Sequence, residues 1–315
     1  MEITTKYKGR DFLSLYDYTG EDIAYFLDVA DALKKEQKEG DTMGYLPGRT
    51  LGMLFTKSST RTRVSFQVGI HQLGGAGLFL SGNDLQIGRG EPIKDTARVL
   101  SRYLDAIMIR TFAHSDVEEL AEYADIPIIN GLTDLLHPCQ VLADLQTIRE
   151  YKGKNLKGLK LTYIGDGNNM AHSLLYGSAK MGMDMTLACP EGYDPDEEVF
   201  RRAKEVAEES GSFIKIYRDP EEAAEGADVL YTDVWASMGQ EGEAAQRRQA
   251  FEGIYQINDD LMKVAKDDAI VLHCLPAHRG EEITDAVMEG KHSAIFDEAE
   301  NRLHAQKAVM ALLIP

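Results

Sequence analysis

Short apolar runs alternate with amphipathic helical patterns along almost the whole chain, and few folds accommodate that order. In the first half "TLGMLF" leads into "RVSFQVGIHQLGG", "AGLFLS" into "KDTARVLSRYLD", "AIMIRTF" into "SDVEELAEYA", and "IPIIN" into "PCQVLADLQTIREY". In the second half "LKLTYIGDG", "DMTLACP", "SFIKIY", "DVLYTDVW" and "AIVLHCLP" are separated by helix-like pieces such as "DPDEEVFRRAKEVAEESG". A short continuous apolar run suits a strand covered on both faces, which requires helices between strands and hence a parallel sheet. The expected fold class is α/β, with two doubly wound parallel-sheet lobes. Ahead of them, Thr19 and "GEDIAYFLDVADALKKEQKEG" read as an amphipathic helix. It has acids at its start, lysines and Gly40 at its end, and Ile23, Phe26, Leu27, Ala30 and Leu33 on one face.

A chain of 315 residues is long enough for two ordinary domains. The polar, glycine-bearing "YKGKNLKG" places a boundary near residue 151, giving domains 1–150 and 151–295. The closing "DEAENRLHAQKAVMALLIP" reads as a helix, residues 296–315, that packs back on the first lobe. The balance of 34 basic and 52 acidic side chains, net -18, argues against nucleic-acid and anionic-membrane partners. Any anionic ligand must be held by a local cluster. No apolar window approaches the roughly 18 residues of a membrane span, and the start lacks a signal-like core, so a cytoplasmic protein is expected. Cys139, Cys189 and Cys274 are scattered and odd in number, which points to reduced thiols and offers no disulfide framework.

Anion-binding chemistry is concentrated in "TKSSTRTRVSF". Ser59 suits the N-cap of the following helix, so the backbone N–H groups of Thr60, Arg61 and Thr62 would face an anion, with hydroxyls and arginines adding donors. The alternative is a capped helix with two solvated arginines. The spacing G-x-x-x-x-G-K-[ST] is absent, so a nucleoside triphosphate is not indicated. Arg110 ends the run "AIMIRTF", while His137 and Gln140 open a later helix. Strand ends of an open α/β sheet gather ligands, so these residues are candidates to converge with the Ser59 loop. In the second half "YIGDGNNMAHS" only loosely resembles a dinucleotide fingerprint, because Asn168 and Asn169 follow Gly167 and no third glycine appears in place. Asp233 ends the next run of interest and leads into a polar loop with the single tryptophan; His273, Cys274 and Pro276 end the last. Taken alone, Cys274 is a small buried hydrophobe. Zinc held by His137, Cys139, His273 and Cys274 lacks close paired ligand spacing, so no metal is expected.

Eight stretches then match one family in order: "SSTRTRVSF", "DLQIGRGEPIKDTARVLSRY", "IMIRTF", "HPCQVLADL", "GDGNNMAHS", "DVWASMGQE", "HCLPAHRGEE" and "FDEAENRLHAQKAV". Together they resemble the ornithine carbamoyltransferases over nearly the whole chain. The resemblance implies carbamoyl transfer from carbamoyl phosphate to the δ-amine of L-ornithine, giving L-citrulline and phosphate, with no cofactor. It implies a carbamoyl phosphate site of Ser59, Thr60, Arg61, Thr62, Gln86, Arg110, His137, Gln140, Cys274, Leu275 and Arg302. Ornithine falls to Asn169, Asp233, Ser237 and Met238. Cys274, Arg61, His137 and Asp233 carry the catalytic assignments, Cys274 by positioning and proton acceptance. The family is built on trimers, so a homotrimer or a multiple of trimers is expected, with Gln86 reaching a neighbouring site. Gln67 and Ser58 depart from residues frequent in the family but are no proposed ligands. A putrescine or other amine carbamoyltransferase and a noncatalytic amino-acid sensor are the competing readings.

Overall fold

The computed structural model describes residues 3–40, 44–237 and 239–315. They form two compact units, Met1–Gln146 with Glu300–Pro315, and Thr147–Ala299. The first opens with α1 (Gly20–Glu39), whose Thr19 and Asp22 form a reciprocal capping box and whose chain leaves through Gly40 in the left-handed region. Then come β1 (Thr50–Phe55), α2 (Thr60–Gln72), β2 (Ala76–Ser81), α3 (Ile93–Leu100), β3 (Ala106–Arg110), α4 (His114–Tyr123), β4 (Ile128–Leu132) and α5 (Pro138–Lys152). The second unit holds β5 (Lys160–Ile164), α6 (Asn169–Lys180), β6 (Asp184–Ala188), α7 (Glu197–Ser210), β7 (Ile214–Tyr217), α8 (Pro220–Ala224) and β8 (Val229–Thr232). After these follow α9 (Ala244–Phe251), α10 (Asp259–Met262), β9 (Ile270–His273), α11 (Asp285–Met288) and α12 (Ile295–Leu313), the last ending within the first unit.

Both sheets are parallel at every pairing of named strands, in the orders β2-β1-β3-β4 and β7-β6-β5-β8-β9. Leu51, Met53, Leu54, Ile107, Met108 and Ile109 are buried in the first sheet, and Leu161, Tyr163, Ile164, Leu230 and Tyr231 in the second. Each buried aliphatic side chain of this kind contributes about 1.5–3 kcal/mol, which selects strands over any other use of these runs. One expectation of a covered strand is corrected. β2 lies at the edge of its sheet, and its Leu78 is 50% exposed and Phe79 36%. An apolar run alone cannot distinguish an edge position from a central one.

Strand order reverses direction between β1 and β3 in the first sheet and between β5 and β8 in the second. Loops leaving the carboxyl ends of neighbouring strands diverge at such a point and leave a crevice between them. The turn after β5 depends on glycine. Gly165 has φ +144, open to glycine and few others, and a Cβ on Gly167 would stand 2.2 Å from the Pro195 nitrogen. Gly167→Ala should therefore cost about 2 kcal/mol or more through overpacking against backbone, read as a lowered urea midpoint.

Candidate functional site

In the first unit the site residues lie on or next to four elements, α2, β3, α5 and α12. Ser59, extended at φ -164, is the N-cap of α2, and its hydroxyl accepts from the Thr62 N–H at 3.1 Å. That N–H is thus already satisfied, while the hydroxyl of buried Thr62 accepts from Arg110 Nη1 at 3.4 Å and Arg302 Nη2 at 3.2 Å. Arg302 reaches this point from α12 and also donates from Nη1 to Gln140 Oε1 at 2.6 Å. Gln140 in turn donates to Asp144 Oδ1 at 2.8 Å, one turn along α5. Thr62, Arg110, Gln140 and Arg302 are all buried, Arg61 is half-buried, and Thr60 is exposed in the first turn of α2.

His137, also buried, stands immediately before Pro138 at the start of α5. Its imidazole is held well below the usual range, first by burial and then by the charges of Arg302, Arg110, Arg61 and Lys57. It is therefore neutral at physiological pH, with one ring nitrogen able to donate and the other to accept. Lys57 was not among the residues singled out from sequence. It is buried with its ammonium 2.9 Å from Asp134 Oδ1 and 4.8 Å from the centre of the Phe112 ring. Gln86 sits exposed in a 3₁₀ turn, Gln86–Arg89, and among the described residues its side chain makes no hydrogen bond with the Thr62 cluster.

In the second unit the chemistry collects where β5, β8 and β9 end. Asp233 follows β8 and is buried. Its Oδ1 accepts from the Val234 N–H at 2.8 Å and from the Cys274 thiol at 3.1 Å, and its Oδ2 from the Asn168 amide at 2.8 Å. Asn168 does two things: its Oδ1 caps α6 by accepting from the Met170 and Ala171 N–H groups, and its Nδ2 orients the carboxylate. Asn169 is the first residue of α6 and is half-buried. Ser237 lies in the loop after β8, where its N–H donates to Gln240 Oε1 at 2.9 Å. Met238 lies outside the described residues.

Cys274 and Leu275 stand on a turn fixed from behind. Leu275 adopts φ 59, costly for a branched side chain, and its N–H donates to His273 Nδ1 at 2.8 Å. That acceptor role puts the ring proton on Nε2, which donates to buried Glu282 at 2.9 Å. Ligand atoms of Asp233, His273 and Cys274 lie within 4.8 Å of one another, but both nitrogens of His273 are committed to these bonds. Cys139, the other sulfur considered for zinc, donates to the Asn130 carbonyl, and burial pushes its thiol up to about 12.

A second ion pair fixes the loop after Asp233. Arg247 of α9 donates to Asp166 Oδ2 at 2.8 Å and to the Trp235 carbonyl at 3.1 Å, with its guanidinium 5.1 Å from the centre of the Tyr193 ring. Burial pushes the Asp166 carboxyl up to about 6, against the opposing pull of Arg247. The partners are 81 positions apart in sequence, and no local pattern links them.

Comparison with known proteins places the chain among its relatives. Residues 10–150 match the family model described as "Aspartate/ornithine carbamoyltransferase, carbamoyl-P binding domain". Residues 157–313 match "Aspartate/ornithine carbamoyltransferase, Asp/Orn binding domain". The ornithine carbamoyltransferase of Oceanobacillus iheyensis is 62% identical, over 98% of this chain and 95% of its own length. That of Anoxybacillus flavithermus is 60% identical over 100% of this chain and 99% of its own. The solved ornithine carbamoyltransferase from Pyrococcus furiosus superposes with a TM-score of 0.94 at 56% identity, covering 98% of this chain and 97% of that one.

The state of His137 has a measurable consequence. The unfolded chain binds a proton there near pH 6.5 and the fold does not, so stability is full above that value and falls by about 1.4 kcal/mol per pH unit as pH drops below it. In His137→Asn this loss should be absent, giving a shallower decline in unfolding free energy between about pH 6.5 and 5.5 in urea titrations.

Proposed function

Because the chain belongs to the aspartate/ornithine carbamoyltransferase family, we infer that it transfers the carbamoyl group of carbamoyl phosphate to the δ-amine of L-ornithine, forming L-citrulline and phosphate. The observation that favours ornithine over aspartate is the Asp233–Cys274 pair, 3.1 Å apart at the end of the second sheet. A carboxylate and thiol together there suit a side-chain amine, which ornithine has and aspartate lacks, and repel aspartate's side-chain carboxylate.

Our assignment gives the first unit the donor. Arg61, Arg110 and the start of α2, with Ser59, Thr60 and Thr62, offset the phosphate charge. Gln140 receives the carbamoyl amide, and His137, Thr62 and Arg302 donate toward its carbonyl oxygen. A neutral His137 suits this role, because a donor with no proton to lose at the working pH keeps its place as charge builds on that oxygen. A handful of charge-assisted bonds, roughly 1.5–3 kcal/mol each, holds such a dianion after association entropy is met.

The second unit takes the amine. Asp233 and Ser237 receive the α-ammonium, Asn169 the α-carboxylate, and the Met238 backbone completes the set. The attacking amine resembles a lysine with pKa about 10.4, so only about one molecule in 2,000 is neutral at pH 7. Cys274, backed by Asp233 and presented with Leu275 on a rigid turn, orients the amine and passes its proton toward the carboxylate. The new C–N bond forms as the C–O bond to phosphate breaks, and the electron pair leaves with the phosphate oxygen.

We place this activity in the cytoplasm, where the three cysteines, all free, stay reduced. Among the described residues no helix is long and apolar enough to cross a membrane. We further propose a homotrimer. The edge strand β2 presents Leu78 and Phe79, and α2, which packs beside it, presents Val64 and Val68, an apolar face that monomers rarely leave open.

A steady-state assay with carbamoyl phosphate should yield citrulline from ornithine and at least about 100-fold less product from putrescine, which lacks both α-groups. Preference for putrescine, or ligand-dependent stabilisation without phosphate release, would replace this reading. The trimer has its own check. Subunits carrying Gln86→Ala or Cys274→Ala should be nearly inactive alone, yet equal mixtures refolded together should recover about a quarter of wild-type activity, since hybrid sites escape both changes. A mixture as inactive as its parts would show that Gln86 is not shared.

A further inference from the structure

Gln306 is completely buried and charge-neutral; it falls within the stretch "FDEAENRLHAQKAV" but is none of the residues given a ligand role above. It stands one helical turn beyond Arg302 on α12, and its Oε1 accepts from Arg302 Nε at 2.9 Å. Its Nε2 donates to Ser65 Oγ at 2.6 Å. Ser65, one turn beyond Arg61 on α2, donates back to the Arg61 carbonyl at 2.5 Å and lies 3.3 Å from that of Thr62. The amide orientation is dictated from both sides, because a guanidinium can only donate.

The result is a continuous bonded path from Arg302 to the first turn of α2. With Nε held by Gln306, Nη1 by Gln140 and Nη2 by Thr62, each nitrogen of the planar guanidinium has an acceptor and its plane is fixed. The two ends of the path are the groups assigned above to the carbamoyl donor. We propose that Gln306 is a positioning residue for that donor: tying Arg302 to Ser65, it sets the guanidinium against Thr62 and Gln140 and couples α12 to the start of α2. This rests on the carbamoyl-transfer reading.

The test is kinetic. Gln306→Leu keeps the volume and removes both bonds; the KM for carbamoyl phosphate should rise about tenfold, with the KM for ornithine at saturating donor changed less than about twofold. Gln306→Glu keeps an acceptor for Arg302 and should restore the donor KM to within about threefold of wild type. Ser65→Ala cuts the far end of the path. It should raise the donor KM by a smaller factor, and the double variant Ser65→Ala, Gln306→Leu should be no worse than Gln306→Leu alone. If Gln306→Leu does not fold, Ser65→Ala carries the test: an unchanged donor KM in that variant overturns the inference. An unchanged donor KM in folded Gln306→Leu, equal rises for both substrates, or no recovery with glutamate overturns it as well. Wild-type protein that forms no citrulline would overturn the functional reading and this inference together, whereas an active wild type with an indifferent Gln306 defeats the inference alone.

Discussion

A parallel strand covered on both faces has little room for charged side chains along its length, so the charged groups of each sheet emerge where strands end. Here that constraint acts twice. Thr56 to Thr62 follow β1 and Arg110 ends β3, while Gly165 to Asn169 follow β5 and Asp233 follows β8. Each pair of loops leaves its sheet at the point where strand order reverses. Buried apolar strands provide rigidity, and the diverging loops provide the charges that the covered strands leave out.

The two polar clusters solve different electrostatic problems. In the first unit, positive charge surrounds a histidine that must stay uncharged, and burial reinforces the repulsion from Arg302, Arg110, Arg61 and Lys57. In the second, negative charge is kept in place by neutral donors: the Asn168 amide, the Val234 N–H and the Cys274 thiol all point at Asp233. A carboxylate so bonded is fixed in direction by neutral donors, with no cation among these three partners.

Much of this was legible in the residues. Strand runs such as "TLGMLF" coincide with β1, and the Thr19 and Ser59 caps are local arrangements that neighbouring residues encode. What could not be read is tertiary. An apolar run does not say whether it lies at a sheet edge, so the exposure of Leu78 and Phe79 needed the strand order. Asn168 announces a helix start but not the Asp233 carboxylate across the crevice. The Asp166–Arg247 pair, the Lys57 charge near His137 and the Gln306 bridge join elements whose nearness no periodicity reveals.

The first unit is discontinuous, since residues 300–315 belong with 1–146. Gly9 donates to the Leu313 carbonyl at 2.9 Å and Lys8 to that of Ala311 at 3.0 Å, and Val309, Met310 and Leu312 are buried. During translation the N-terminal part is made first but cannot close its core until residues 300–315 have emerged. The second unit, one uninterrupted stretch, has its full set of contacts earlier, so the nascent chain completes the later half before the earlier one.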